Sequence, residues 1–277
     1  MALELDDRQR AMLQEMGVRV WLPGTAFSVL PMEVPAVATA ARSPSNAAPQ
    51  VRPASPMPAT PTKLQPVAAQ AVVADGMDWA DLAQKIAICQ ACGLCAGRKN
   101  TTLQAPAVAQ MDWMVVGDPP DEDEDREGQP FAQAQGVLLD NMLKAVGARR
   151  GGSGAQGAYV TNIVKCRPPH GRIPQPVELA QCAAYLHQEI ALVQPRMILA
   201  MGRFAMQVAL SGQADLASQP LGKLRGTVYR YHGVPVVVTY APKVLLRASA
   251  DKAKAWADLC LAMDTLADIA ARLEAKG

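Results

Sequence analysis

Histidine, aromatic side chains and long apolar runs are all scarce in this 277-residue chain. No stretch of about 18 consecutive apolar residues occurs, which excludes a membrane-spanning helix. Aromatics reach only 4% of residues, too few for a surface that stacks many nucleobases on a row of rings. Neither sign of charge dominates: 27 Lys and Arg against 25 Asp and Glu leave a net +2, which argues neither for nor against a polyanionic partner. From Val34 to Ala74 acidic residues are absent altogether, and eight prolines are spread among Ala, Val, Ser and Thr. Such a composition builds no packed core and reads as a semi-extended linker. The opening MALELDDRQR lacks the basic start and apolar stretch of a secretory signal, so a cytoplasmic location is expected.

What is present divides the chain into three parts. Residues 1–33 form a short segment in which Leu5, Met12, Leu13 and Met16 share one face of an amphipathic helix, followed by the strand-like Val18–Trp21. Residues 34–74 are the linker, and residues 75–277 are expected to fold as the body. Four apolar or β-branched runs in the body, Trp113–Gly117, Ala158–Val164, Arg196–Met201 and Val234–Tyr240, alternate with helical patterns at 136–146, 177–193, 204–210 and 253–273. This alternation predicts an α/β protein with a mainly parallel sheet covered on both faces, and the irregular Arg225–His232 region allows an added hairpin. Ligands of such sheets bind beyond the carboxyl ends of the strands. GDPPDEDED, NIVKCRPP, GRFA and TYAPKVLLR lie at those ends.

Six cysteines are present, at 89, 92, 95, 166, 182 and 260. In a cytoplasmic chain Cys-x-x-Cys spacing favours metal or redox chemistry over a structural disulfide. Cys89 and Cys92 supply one pair of thiolates. Cys166 at a strand end and Cys182 in the first turns of a helix are able to reach the same point. Four thiolates suit a [4Fe–4S] cluster, and zinc would accept the same set; reduced buried thiols are the plain alternative. Cys95 continues the spacing, but the next position of a ferredoxin-like run is Lys99, which leaves Cys95 as a spare thiol beside the site. Cys260 falls on the apolar face of the last helical pattern and is read as core packing.

Taken together, CQACGLCAGR (89–98), VVGDPPDEDEDREGQPF (115–131), GVLLDNML (136–143), YVTNIVKCRPP (159–169), Cys182, LAMGRFA (199–205) and TYAPKVLLR (239–247) resemble the iron–sulfur uracil-DNA glycosylases, the fourth family of that superfamily. The motifs keep family order over about residues 80–262. The resemblance implies a three-layer α/β/α fold around a four-stranded parallel sheet, a [4Fe–4S] cluster on Cys89, Cys92, Cys166 and Cys182, and hydrolysis of the N-glycosidic bond of uracil in DNA. An enzyme of this kind flips the nucleotide out of the duplex at a cost of a few kcal/mol and reads its Watson–Crick edge in a pocket. By the same resemblance Phe131 stacks on the flipped base, Asn162 hydrogen-bonds its amide-like edge, and Asp118 is the catalytic carboxylate. Lys243, Leu245, Leu246 and Arg247 align with the loop that enters the minor groove, an apolar wedge flanked by cations. The bland alternative for that loop is two core leucines beside a surface Lys and Arg. Lys165, Arg167 and Arg172 are further candidates for phosphate contacts, and the acidic run Asp121–Asp125 reads as a solvated loop face.

Several pocket positions depart from the family pattern. Asp118 replaces a Glu, Asp121 a Gly, and Ala241 the His that donates to the departing uracil. Two readings of function follow: a uracil-DNA glycosylase, weak or altered in base preference, or a catalytically inactive DNA-binding or damage-sensing homologue. A third, a metal protein unrelated to DNA, remains open from the residues. DNA is the expected partner, with a protein partner for the N-terminal segment and a monomeric body.

Overall fold

The computed structural model describes residues 77–106 and 110–275. The expected N-terminal segment 1–33 and linker 34–74 lie outside the described residues. Helix α1 (Trp79–Ala87) opens the described chain, its first turn capped by the Asp78 carboxylate, which accepts from Asp81 N at 2.9 Å. Strand β1 (Met111–Gly117) then leads through α2 (Glu122–Glu127) and α3 (Gln133–Ala145) to β2 (Arg149–Arg150) and β3 (Gly154–Asn162). Helix α4 (Pro176–Val193) returns the chain to β4 (Met197–Met201), and three short helices follow: α5 (Arg203–Ala209), α6 (Ala214–Ala217) and α7 (Leu221–Leu224). Strands β5 (Val228–Tyr231) and β6 (Val234–Thr239), α8 (Pro242–Arg247) and the long α9 (Lys252–Glu274) complete it.

The sheet has six strands in the order β2-β3-β1-β4-β6-β5, so the expected four-stranded sheet is corrected to six. The four strands legible in the sequence are its parallel centre; β2 and β5 are its edges. β2 is two residues long and carries no periodicity to read. β5 runs antiparallel to β6 through a tight turn at His232 and Gly233, both with positive φ (47° and 82°), the combination that a two-residue hairpin requires.

Strand pleating sorts the core into two layers. Met114 and Val116 of β1 face α1, α4 and α5, whereas Trp113 and Val115 face α3, α8 and α9. Both faces of the central strands are therefore buried, which gives the continuous apolar runs seen in the sequence. Each fully buried large side chain, such as Leu139, Met114 or Leu199, contributes about 1.5–3 kcal/mol to the closure of these layers. β3 and β4 flank β1 on opposite sides, so the chain changes direction across the sheet at β1, and a crevice opens at the carboxyl ends of these strands.

Candidate functional site

The segments after β1, β3, β4 and β6 meet at this crevice. β1 ends in Gly117, and the Phe131 ring fills the space that a Cβ there would need. Phe131 is buried and holds a positive φ of 53°, a strained backbone for a bulky residue. Arg150 secures the strained loop by donating from Nη1 to Pro130 O at 2.9 Å and from Nη2 to Phe131 O at 3.3 Å.

The acidic run is not the solvated loop face expected. Asp121 caps α2 in a capping box with Glu124: the Asp121 carboxylate accepts from Asp123 N and Glu124 N, both at 3.1 Å, and Glu124 Oε2 accepts from Asp121 N at 2.9 Å. Glu124 and Asp125 are buried. Asp125 accepts from Lys99 N at 3.0 Å, tying α2 to the end of the cysteine segment. Acidic residues clustered in a first turn are also favoured by the helix dipole.

Glu124 is the member of this candidate site that the sequence reading missed. Its Oε1 accepts from Phe131 N at 2.6 Å and from Asn162 Nδ2 at 3.0 Å, so one carboxylate joins the expected stacking residue to the expected base reader. Burial pushes this carboxyl above the usual range, against the pull of those donors and of Asp121 N. The Asp121-x-x-Glu124 spacing of a capping box was the signal that could have found it.

Asn162, at the end of β3, also donates from Nδ2 to Asp118 O at 2.9 Å. Both amide hydrogens are thus committed within the protein. Its Oδ1 is buried and has no hydrogen-bond partner among the described residues. Asn162 therefore has an acceptor, and no donor, left to offer the edge of a base. Such an orphaned acceptor costs about 1–3 kcal/mol and suits a ligand N–H.

The Asp118 carboxylate turns toward the start of α5, where its Oδ1 accepts from Phe204 N at 2.8 Å. Its Oδ2 lies 3.9 Å from Lys243 Nζ. Burial raises this carboxyl, opposed first by the Lys243 charge and then by the amides of residues 203–205. Asp118 and Lys243 thus belong to one site, beside a cleft lined by Pro119, Asp121, Phe204 and Arg167. Lys243, expected among the DNA contacts, is half-buried and faces the carboxylate.

Helix α8 corrects one further expectation. Ala241 and Leu245, four residues apart, share its inner face, and Leu245 is 0% exposed among core residues. A side chain there cannot act as a wedge. Leu246, 47% exposed, with Val244 and Arg247 beside it, carries the outward face instead.

Of the basic residues near Cys166, Lys165 is completely buried and is corrected from a phosphate contact to a core cation. Its Nζ donates to Thr161 Oγ1 at 2.6 Å and Asn162 O at 2.8 Å and pairs with Glu189, which also accepts from Tyr159 OH at 3.1 Å. Arg172 is held by Glu178 through two bonds of 2.8 and 2.5 Å, and Arg167 reaches Glu122 at 3.2 Å.

Cys89, Cys92, Cys166 and Cys182 line one small enclosed cavity, together with Cys95, Lys165 and Tyr185. The 3-10 turn Gly93–Gly97 folds the cysteine segment back on itself, while the end of β3 and the second turn of α4 bring Cys166 and Cys182 from the other side. Among the described residues, no three His, Cys, Asp or Glu are grouped as a ligand set for a single metal ion. Burial raises the Cys92, Cys166 and Cys182 thiols, the last to about 12. Arg98 donates to Cys166 Sγ at 3.3 Å and braces the segment through the carbonyls of Ile86, Ala87 and Cys89. An all-sulfur donor set beside a fixed guanidinium suits a group that is anionic once bound by thiolates.

Comparison with known proteins adds an independent line. The family model described as the uracil DNA glycosylase superfamily matches residues 106–260. The type-4 uracil-DNA glycosylase of Pyrobaculum aerophilum is 35% identical over 189 residues, covering 67% of this chain and 93% of that protein. Its counterpart in Archaeoglobus fulgidus is 34% identical over 172 residues, covering 60% and 82%. A third, from Thermotoga maritima, is 32% identical over 169 residues, with the same two coverages.

Proposed function

The chain belongs to the uracil-DNA glycosylase superfamily, and from that premise we propose that it hydrolyses the N-glycosidic bond of a uracil extruded from DNA, as a repair enzyme of the type-4 kind. The observation that carries the reading is the linkage of Phe131, Asn162 and Asp118 around the buried Glu124, at the crevice where the sheet changes direction. Phe131, buried against Gly117, is the side chain proposed to meet the flipped base. The unpartnered Asn162 Oδ1 accepts the imide N–H of uracil, whereas cytosine presents a lone pair at that ring position and is repelled. Bond cleavage leaves positive charge on the sugar and negative charge on the departing uracil; water supplies hydroxyl to C1′ and the base is protonated as it leaves. Ionised Asp118 stabilises the sugar cation and orients that water, and Lys243 keeps Asp118 ionised.

Cys89, Cys92, Cys166 and Cys182 would hold a [4Fe–4S] cluster, with zinc as the alternative occupant of the same thiolates. Its contribution when bound is to staple the 89–98 segment, the end of β3 and α4 into one unit. Iron content of about four per chain with absorbance near ~400 nm supports the cluster; zinc alone excludes it. Leu246, Arg247 and Val244 form the surface offered to the DNA, with Lys243 behind them. Residues 1–33 are proposed to recruit a protein partner.

Mixing purified protein with an oligonucleotide bearing one uracil and counting abasic sites tests the activity. Product above that of an Asp118→Ala control is expected; equality with that control removes the hydrolase reading. A second reading, DNA binding without excision, is favoured by Ala241, which leaves the first turn of α8 without the imidazole that the family uses. Salt-dependent binding to uracil-containing DNA in the absence of any product supports it.

A further inference from the structure

Four thiols satisfy a [4Fe–4S] cluster, yet five line the cavity. The fifth, Cys95, sits on the 3-10 turn that also carries Cys92, its N–H directed to Cys92 O at 3.4 Å. It is partly exposed, as are Cys89 and Cys92, whereas Cys166 and Cys182 are buried. Cys89 and Cys95 are both neighbours of Arg98 and of Cys166, and Cys89 is a neighbour of Cys92 as well. Cys95 thus shares the surroundings of Cys89.

We propose that Cys95 is a reserve ligand, which takes over the iron held by Cys89 when Cys89 is lost or displaced. The exchange is a ligand substitution without electron transfer: the Cys95 thiol gives up its proton as its sulfur–iron bond forms, and the released Cys89 sulfur takes one up. Arg98, already donating to Cys166 Sγ and close to both exchanging thiols, offsets the anionic charge throughout. Cys95 shares its partial exposure with Cys89 and Cys92, so the exchange takes place on the open side of the cavity, away from the buried Cys166 and Cys182. The proposal rests on the cluster assignment made above.

Anaerobically reconstituted wild type, Cys89→Ser, Cys95→Ser, Cys89→Ser/Cys95→Ser and Cys182→Ser chains are compared for iron per chain and absorbance near ~400 nm, with far-ultraviolet circular dichroism to verify folding. Cys89→Ser is expected to keep most of its iron, and the double variant and Cys182→Ser to lose it. Iodoacetamide should label Cys95 in the wild-type holoprotein but not in Cys89→Ser. Cys95→Ser alone should carry wild-type iron yet bleach faster than wild type under a chelator, a readout that does not depend on the folding of Cys89→Ser. Iron loss in Cys89→Ser equal to that in the double variant, iron loss in Cys95→Ser by itself, or equal bleaching rates would each overturn the proposal. A wild type without iron would instead overturn the cluster assignment.

Discussion

Asp118 is one methylene shorter than the glutamate its family uses, and its setting answers to that length: the carboxylate drops back onto Phe204 N and is held ionisable by Lys243. Removing the lysine charge raises the Asp118 carboxyl further, because Lys243 is the largest influence opposing burial. The acidic limb of the pH profile for excision should therefore move to higher pH in Lys243→Met than in wild type, measured under single-turnover conditions; an unmoved limb separates Lys243 from Asp118. Glu124 gives a stability counterpart. A carboxyl whose folded-state pKa is raised holds its proton longer in the folded than in the unfolded chain, so its contribution is full below about pH 4.5 and is lost as pH rises through the raised value. Melting temperatures measured upward from that pH should fall less steeply in Glu124→Gln than in wild type. Asp118, Phe131 and Asn162 were legible as candidates because each sits in a recognisable motif, the first just after β1, the second ahead of α3 and the third at the end of β3. Glu124 was not: five consecutive acids look alike, and only the capping geometry turns one of them inward.

At the scale of elements, the four central strands were readable because burial on both faces demands unbroken apolar runs, a signal that the sequence cannot avoid displaying. β2 pairs through Arg149 and Arg150 alone and has no pattern of that kind; β5 is VYRY, with two of its four residues exposed, and was legible only as the hairpin allowed at Arg225–His232, which the structure bears out. Helix α8 shows the same limit. Two adjacent leucines are indistinguishable until the helix phase is known, and Ala241 and Leu245 set that phase by sharing the buried face. Leu245→Ala should therefore cost about 2–5 kcal/mol in chemical denaturation, as a core truncation. Leu246→Ala and Arg247→Ala should leave stability near wild type while weakening DNA affinity, and Arg247→Ala should flatten its salt dependence, both read by fluorescence anisotropy. The reverse ranking would return Leu245 to the DNA surface.

The whole molecule joins two centres across one strand end. Lys165 lines the thiol cavity and donates to the Asn162 carbonyl, so the residues that would hold a cluster and those that would read a base share a single buried cation. Stripping the metal with a chelator should lower the melting temperature, since a ligand that binds only the folded chain stabilises it in proportion to its occupancy. The layered α/β/α architecture was evident from alternation, whereas this coupling was not, because a lysine beside a cysteine motif reads as a surface cation until its burial is known. On the function proposed, the crevice between Asp118, Asn162 and α8 excises uracil with one donor missing. Replacing Ala241 with histidine tests it most directly, by the single-turnover rate on a uracil-containing oligonucleotide. Restoration of an oxyanion donor predicts a gain on the order of 10²–10³-fold, and a rate unchanged or lowered in a folded, metal-loaded Ala241→His protein would contradict the account.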